Sequence, residues 1–166
     1  MKTLFLCIAS VISFQAAVGQ EVQLPNVPSR TTTRQPIAEG SKVWGVFHGR
    51  VPCQEIAQVL HVPVEANCEK VKWGFTFFID PGTGQPTTYL WEGSLYRDKP
   101  RTGKWATAKG TADNPGATVI VLDPDEPGKS LLFLKGDENV LFVLDSSRKL
   151  MVGGDYLSYT FNRVVN

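Results

Sequence analysis

Little in this chain is suited to holding a metal or doing chemistry. It has two histidines (His48, His61), two methionines and three cysteines, and Cys7 falls inside an N-terminal apolar run. A dedicated copper(I) trap uses denser thiolate and thioether ligands than that. The sequence contains no Gly-x-Ser-x-Gly elbow, no His-Glu-x-x-His pair and no phosphate-cradling glycine loop. Charge of one sign is missing too. Seventeen basic residues face 16 acidic ones, and removing Lys2 with the first 19 residues balances them. That leaves no electrostatic case for nucleic acid or an anionic membrane surface. Past the first 19 residues no apolar run is long enough for a transmembrane helix.

The first 19 residues, "MKTLFLCIASVISFQAAVG", read as a secretory signal. Lys2 is the positive n-region, Leu4 to Phe14 the apolar run, and Ala17-Val18-Gly19 offers small residues to a signal peptidase. The predicted mature start is Gln20. Cys7 lies within the apolar run after Leu6 rather than behind a small residue, so lipidation there is not expected. Residues 20–41 are rich in Pro, Thr, Ser and Gln without apolar periodicity and read as a flexible leader. Residues 42–166 are long enough for one domain with a core of its own.

That domain reads almost entirely as strand. In "VKWGFTFFID", Trp73, Phe75, Phe77 and Ile79 share one face; in "TTYLWEGSLYR", Tyr89, Trp91, Gly93 and Leu95 do. Five further runs follow: "GKWATAKG", "ATVIVLD", "SLLFLK", "NVLFVLD" and "DYLSYTFNRV". Aromatic and β-branched residues at a period of two suit half-buried antiparallel strands. The separators, such as "DPGTGQP", "TADNPG" and "DSSRK", are turn chemistry. Consecutive hairpins predict a mainly β, up-and-down antiparallel sheet, and closing it into a small lipocalin-like barrel removes its edges. The exception is one short helix between the first strand (Val43–Gly49) and the second (Glu69–Asp80). It starts at Pro52, presents Ile56, Val59 and Leu60 on one face, and ends before Pro63.

Cys53 and Cys68 flank that helix, and three readings compete for them. A zinc or copper site would draw on Cys53, Cys68, His48 and His61, at spacings that match no common knuckle. Thiol–disulfide exchange would use Cys-x-x-Cys, but Ile56 stands where the second cysteine belongs. A structural disulfide fits an exported chain with an even mature count. The staple is the expectation.

The ordered segments Gly49-Arg50-Val51-Pro52-Cys53, Gly103-Lys104-Trp105 and Tyr159-Thr160-Phe161-Asn162-Arg163 resemble the NlpE family. The resemblance, to the N-terminal domain of that family, covers about Lys42–Arg163. It implies a lipocalin-like barrel in the bacterial periplasm or cell envelope, non-enzymatic, with a role in copper homeostasis or envelope stress. Copper enters by this resemblance alone, and envelope proteins are the partners it suggests. The chain departs from the family in Ile56, in Phe161 where Leu is usual, and in lacking a lipobox.

Barrel size and aromatic content suggest an alternative, a carrier of a small hydrophobic ligand. Its lining would come from Trp73, Phe75, Phe77, Tyr89, Trp91, Phe133 and Phe142, together with Trp105 and Arg163, although a core filled by these rings is the default. By analogy with lipocalin-like barrels, Trp105 and Arg163 are expected to stack as a cation–π pair. A third alternative is a protein-interaction module using loops such as Pro81–Pro86 and Ala112–Gly116. His48 is expected to hydrogen-bond at the barrel rim, and His61 to meet the helix dipole. "DPDEPG" reads as a solvated turn.

Overall fold

The computed structural model describes residues 29–30 and 36–165. The predicted signal peptide, Cys7 and most of the predicted leader therefore lie outside the described residues. Nine strands and one α-helix follow in chain order. They are β1 (Ser29–Arg30), β2 (Val43–Pro52), α1 (Cys53–Leu60), β3 (Lys70–Ile79), β4 (Pro86–Gly93) and β5 (Arg101–Lys109), then β6 (Thr118–Leu122), β7 (Leu132–Lys135), β8 (Val140–Leu144) and β9 (Thr160–Val165). Neighbours pair antiparallel from β2 through β8, and β9 pairs with both β8 and β2. The eight strands β2–β9 thus close a barrel, so the main-chain edges that an open meander would expose are satisfied. β1 adds a short parallel pairing to the end of β9, Ser29 opposite Val164.

The alternation seen in the sequence sets the two faces. Val71, Trp73, Phe75 and Phe77 of β3 are buried, and so are Tyr89 and Trp91 of β4 and Leu141 and Val143 of β8. Phe142 alternates outward on β8, over Gly136, and takes no part in this core. The last predicted strand, "DYLSYTFNRV", pairs only from Thr160, and β9 has six residues. Residues 145–159 form an extended connection, because a tight turn at Asp145–Lys149 and the Gly153-Gly154 pair interrupt any ladder before Thr160.

One irregularity on β2 matters for the interior. The pairing with β3 slips between Val43 and Gly45, so Val43 faces Phe78 while Gly45 already faces Phe77. This bulge lets Trp44 share the inner face with Phe47, since one extra residue reverses the local alternation. The rings of Trp44 and Phe47 stack with centroids 5.4 Å apart.

Helix α1 buries Cys53, Ile56, Ala57 and Leu60, and its face joins the same core. Pro52 is the cap and Cys53 the first helical residue. The helix stops because His61 turns left-handed (φ 54°), its backbone N–H bonding to the Gln58 carbonyl; Pro63 only follows. Cys53 and Cys68 are joined in a disulfide with Cα atoms 5.7 Å apart. The side-chain amide of Gln54 donates to the carbonyls of Glu65, Ala66 and Cys68, holding the returning chain against the helix start.

Candidate functional site

The barrel interior is occupied by protein. Phe75 sits at the centre, its ring centroid 4.9 Å from Trp91, 5.2 Å from Phe133 and 5.1 Å from Phe161. Trp73 meets Trp91 edge-on at 4.7 Å, and Phe77 meets Trp105 at 5.2 Å. Trp73, Phe75, Phe77, Tyr89, Trp91 and Trp105 thus share one buried core, and all but Tyr89 are linked by ring contacts. A ligand inside would have to displace rings whose mutual contacts stabilise the fold by about 1 kcal/mol each beyond their burial.

Arg163 does not stack on Trp105. Its guanidinium lies over Phe47 at 4.7 Å and over Trp44 at 5.1 Å. Trp44 stands between the two expected partners, its ring 5.3 Å from Trp105. The bulge that turns Trp44 inward therefore displaces the anticipated pair. Arg163 also donates from Nη1 to the Trp44 carbonyl at 2.8 Å and from Nε to the Glu138 carbonyl at 2.6 Å. Burial holds its pKa below the usual arginine value, partly offset by Glu138.

A second polar group lies where β4, β5 and β6 meet. Asp123 accepts from the Tyr89 hydroxyl at 2.7 Å and from Arg101 Nη2 at 2.6 Å. Burial raises the Tyr89 pKa and the bond to Asp123 raises it further. Burial works against the Arg101 charge, but the bond to Asp123 together with the Tyr89 and Tyr96 hydroxyls and the Asp123 charge outweighs it, and the pKa is raised. Both shifts hold Tyr89 neutral and Arg101 charged near neutrality. The Tyr89–Asp123–Arg101 contacts tie β4, β5 and the end of β6 together. Trp91 Nε1, buried beside this group, lacks a hydrogen-bond partner among the described residues.

His48 is not at the rim. Because β2 runs on to Pro52, His48 lies mid-wall on the outer face, half-buried beside Gly74, and makes no side-chain hydrogen bond among the described residues. Burial lowers its pKa and Glu92 partly restores it. Register places Asn162, His48, Gly74 and Glu92 in one row across β9, β2, β3 and β4. A groove of about 900 Å³ opens along this row, with Arg50, Lys72, Tyr96 and Arg97 on its margin. On the other side of the row, Pro36, Ile37 and Ala38 of the leader close a smaller cavity of about 230 Å³. Ile37 is buried there with Val46 and Val164.

The resemblance raises copper, and the donor chemistry does not suit it. Both thiols are consumed in the disulfide. His48 lies on the outer wall and His61 caps the helix, so the four ligands read from the sequence are not assembled. Among the described residues no cluster of three His, Cys, Asp or Glu side chains could hold a metal.

The most exposed large apolar side chains on the described chain gather in one connection. Leu150 is 53 %, Val152 87 % and Tyr156 96 % exposed, all within residues 145–159. The base of this connection is tied down. Met151 N–H bonds to the Val143 carbonyl at 3.0 Å, and Val143 N–H bonds to the Tyr159 carbonyl at 2.9 Å. The Tyr159 hydroxyl reaches Glu55 of the helix at 3.2 Å. The loops Pro81–Pro86 and Ala112–Gly116 carry no such side chain and are braced by Asp80 and Asn114.

Sequence reasoning missed Trp44, Arg101, Asp123 and the outer row. Trp44 carried a local signal in the "VWGVF" run; the others become neighbours only through strand register. No family model matches the chain, and no curated protein or solved structure shows significant similarity to it.

Proposed function

We propose that this is an exported, non-enzymatic domain of the bacterial cell envelope that works by binding another protein, with residues 145–159 as its contact surface. One observation carries the reading: Val152 and Tyr156 stand 87 % and 96 % exposed on a connection anchored at both ends. Exposed apolar and aromatic side chains on a loop held by a rigid scaffold are what a protein partner buries. The filled interior supports this over a hydrophobic carrier. The resemblance to the NlpE family points to an envelope stress role, and copper homeostasis, if this domain serves it, would work through a partner rather than through Cys53 and Cys68.

The test is site-specific photocrosslinking in intact cells. A photoreactive phenylalanine analogue at position 156 is expected to give one discrete protein adduct. The same analogue at Asp125, on an exposed turn, is expected to give none. Val152→Ser/Tyr156→Ser should abolish capture of that partner without changing Tm. Adducts of equal pattern at both positions, or none at 156, would overturn the reading.

A further inference from the structure

The outer groove is a different surface from residues 145–159 of the proposed protein contact, although Ser158 touches both. Its charge pattern calls for an explanation. Arg50 and Lys72 lie directly opposite each other on β2 and β3, both exposed. Like charges directly opposed across a strand pair are destabilising. Neither has an ion-pair partner among the described residues, and neither does Arg97 at the groove margin. Three unpaired cations around one concavity make an anion-seeking surface.

Which anion follows from the rest of the lining. Strands β9, β2, β3 and β4 are each hydrogen-bonded on both sides, so the wall has no free edge to which a peptide backbone could add. None of the large exposed apolar residues lines the groove, so it lacks a pocket for a protein anchor. Gly74 carries no side chain, and the His48 ring takes the space over it, where a Cβ would lie 3.1 Å from the imidazole. The row itself is a series of donors and acceptors: Asn162, His48 and Glu92. Side chains of this kind at the spacing of adjacent strands suit a ligand carrying several hydroxyls and an anionic group.

We propose that this groove binds an acidic saccharide, its carboxylate held by Arg50, Lys72 and Arg97 and its hydroxyls by His48, Glu92 and Asn162. Glu92 does not oppose this role. A carboxylate is acceptor-only and pairs with sugar hydroxyls, while the three cations sit along the margin.

The experiment is titration of the ¹⁵N-labelled mature protein with trigalacturonate, with maltotriose and pentaglutamate as comparators. Trigalacturonate is expected to shift the amides of His48, Gly74, Glu92 and Asn162, and to bind at least about tenfold tighter than maltotriose, equivalent to about 1.4 kcal/mol. Arg50→Glu/Lys72→Glu should weaken binding about tenfold and flatten its salt dependence, whereas Lys109→Glu, exposed on β5 away from the groove, leaves both unchanged. Asn162→Ala should weaken binding while leaving the salt dependence intact, a split that misfolding would not produce. Shifts confined to other faces, absence of binding, or equally tight binding of pentaglutamate would overturn the assignment. The last result would place an acidic peptide in the groove instead.

Discussion

The guanidinium of Arg163 occupies the space that a side chain at residue 45 would fill: a Cβ on Gly45 would lie 2.3 Å from Nη1. Gly45 is therefore the other half of the Arg163 site. It leaves the slot through which the cation reaches the faces of Trp44 and Phe47. Gly45→Ala is expected to expel the guanidinium and cost about 1–3 kcal/mol, the range for overpacking a close-packed interior. Urea unfolding followed by tryptophan fluorescence measures it. Because Trp44 loses its covering cation, the native emission should also change, and an unchanged spectrum with unchanged stability would refute the packing described.

The disulfide joins residues 15 apart. Cys53→Ala/Cys68→Ala is expected to lower stability by about 3 kcal/mol, since a loop of that length regains its entropy in the unfolded chain. The barrel strands should keep their native circular dichroism below the lowered Tm. Reducing the wild-type protein should reproduce the loss, and the intact mass should rise by two hydrogens.

Asp123 holds both Tyr89 and Arg101, whose ion-pair side chains at 101 and 123 are only 20 % and 15 % exposed. Removing the shared acceptor leaves a largely buried cation unpaired. Asp123→Ala is expected to cost about 2–3 kcal/mol, below the fully buried range because water still reaches the pair. Tyr89→Phe removes one bond and should cost about 1 kcal/mol. Equal losses in the two variants, read from denaturant midpoints, would show that Asp123 is not the hub.

His48 titrates below the ordinary histidine value because burial disfavours its charged form. The unfolded chain therefore takes up the proton first as pH falls. Stability from this residue is fully present above about 6.5 and is lost as pH drops through the lower folded value. His48→Gln should flatten this part of the stability–pH curve. An identical slope in the variant would place the titration elsewhere, and NMR titration of the His48 ring reads the pKa directly.

Much of the architecture was legible because its signals are local. Alternation in "VKWGFTFFID" and "TTYLWEGSLYR", with turn residues between runs, was enough for a chain of hairpins; β3 appears where that pattern put it, but β4 stops at Gly93, and Leu95, at φ 72° and 48 % exposed, is off the predicted face. "DYLSYTFNRV" misled because alternation continues through residues that make no ladder. Pairing with β8 reaches back only to Tyr159, whose carbonyl accepts from Val143 N–H, so residues 155–158 add nothing to the strand.

The amino-acid sequence by itself determined the class of fold, the helix between the first two wall strands, and the pairing of two cysteines in a predicted exported chain. Each depends on periodicity or on residues near one another in sequence. The tertiary structure alone decided which side chains meet. A one-residue bulge brought Trp44 between Arg163 and Trp105, and barrel closure put Asn162 in line with His48, Gly74 and Glu92. Register across strands is a property of the closed sheet, and a shift of one residue exchanges the inner face for the outer one.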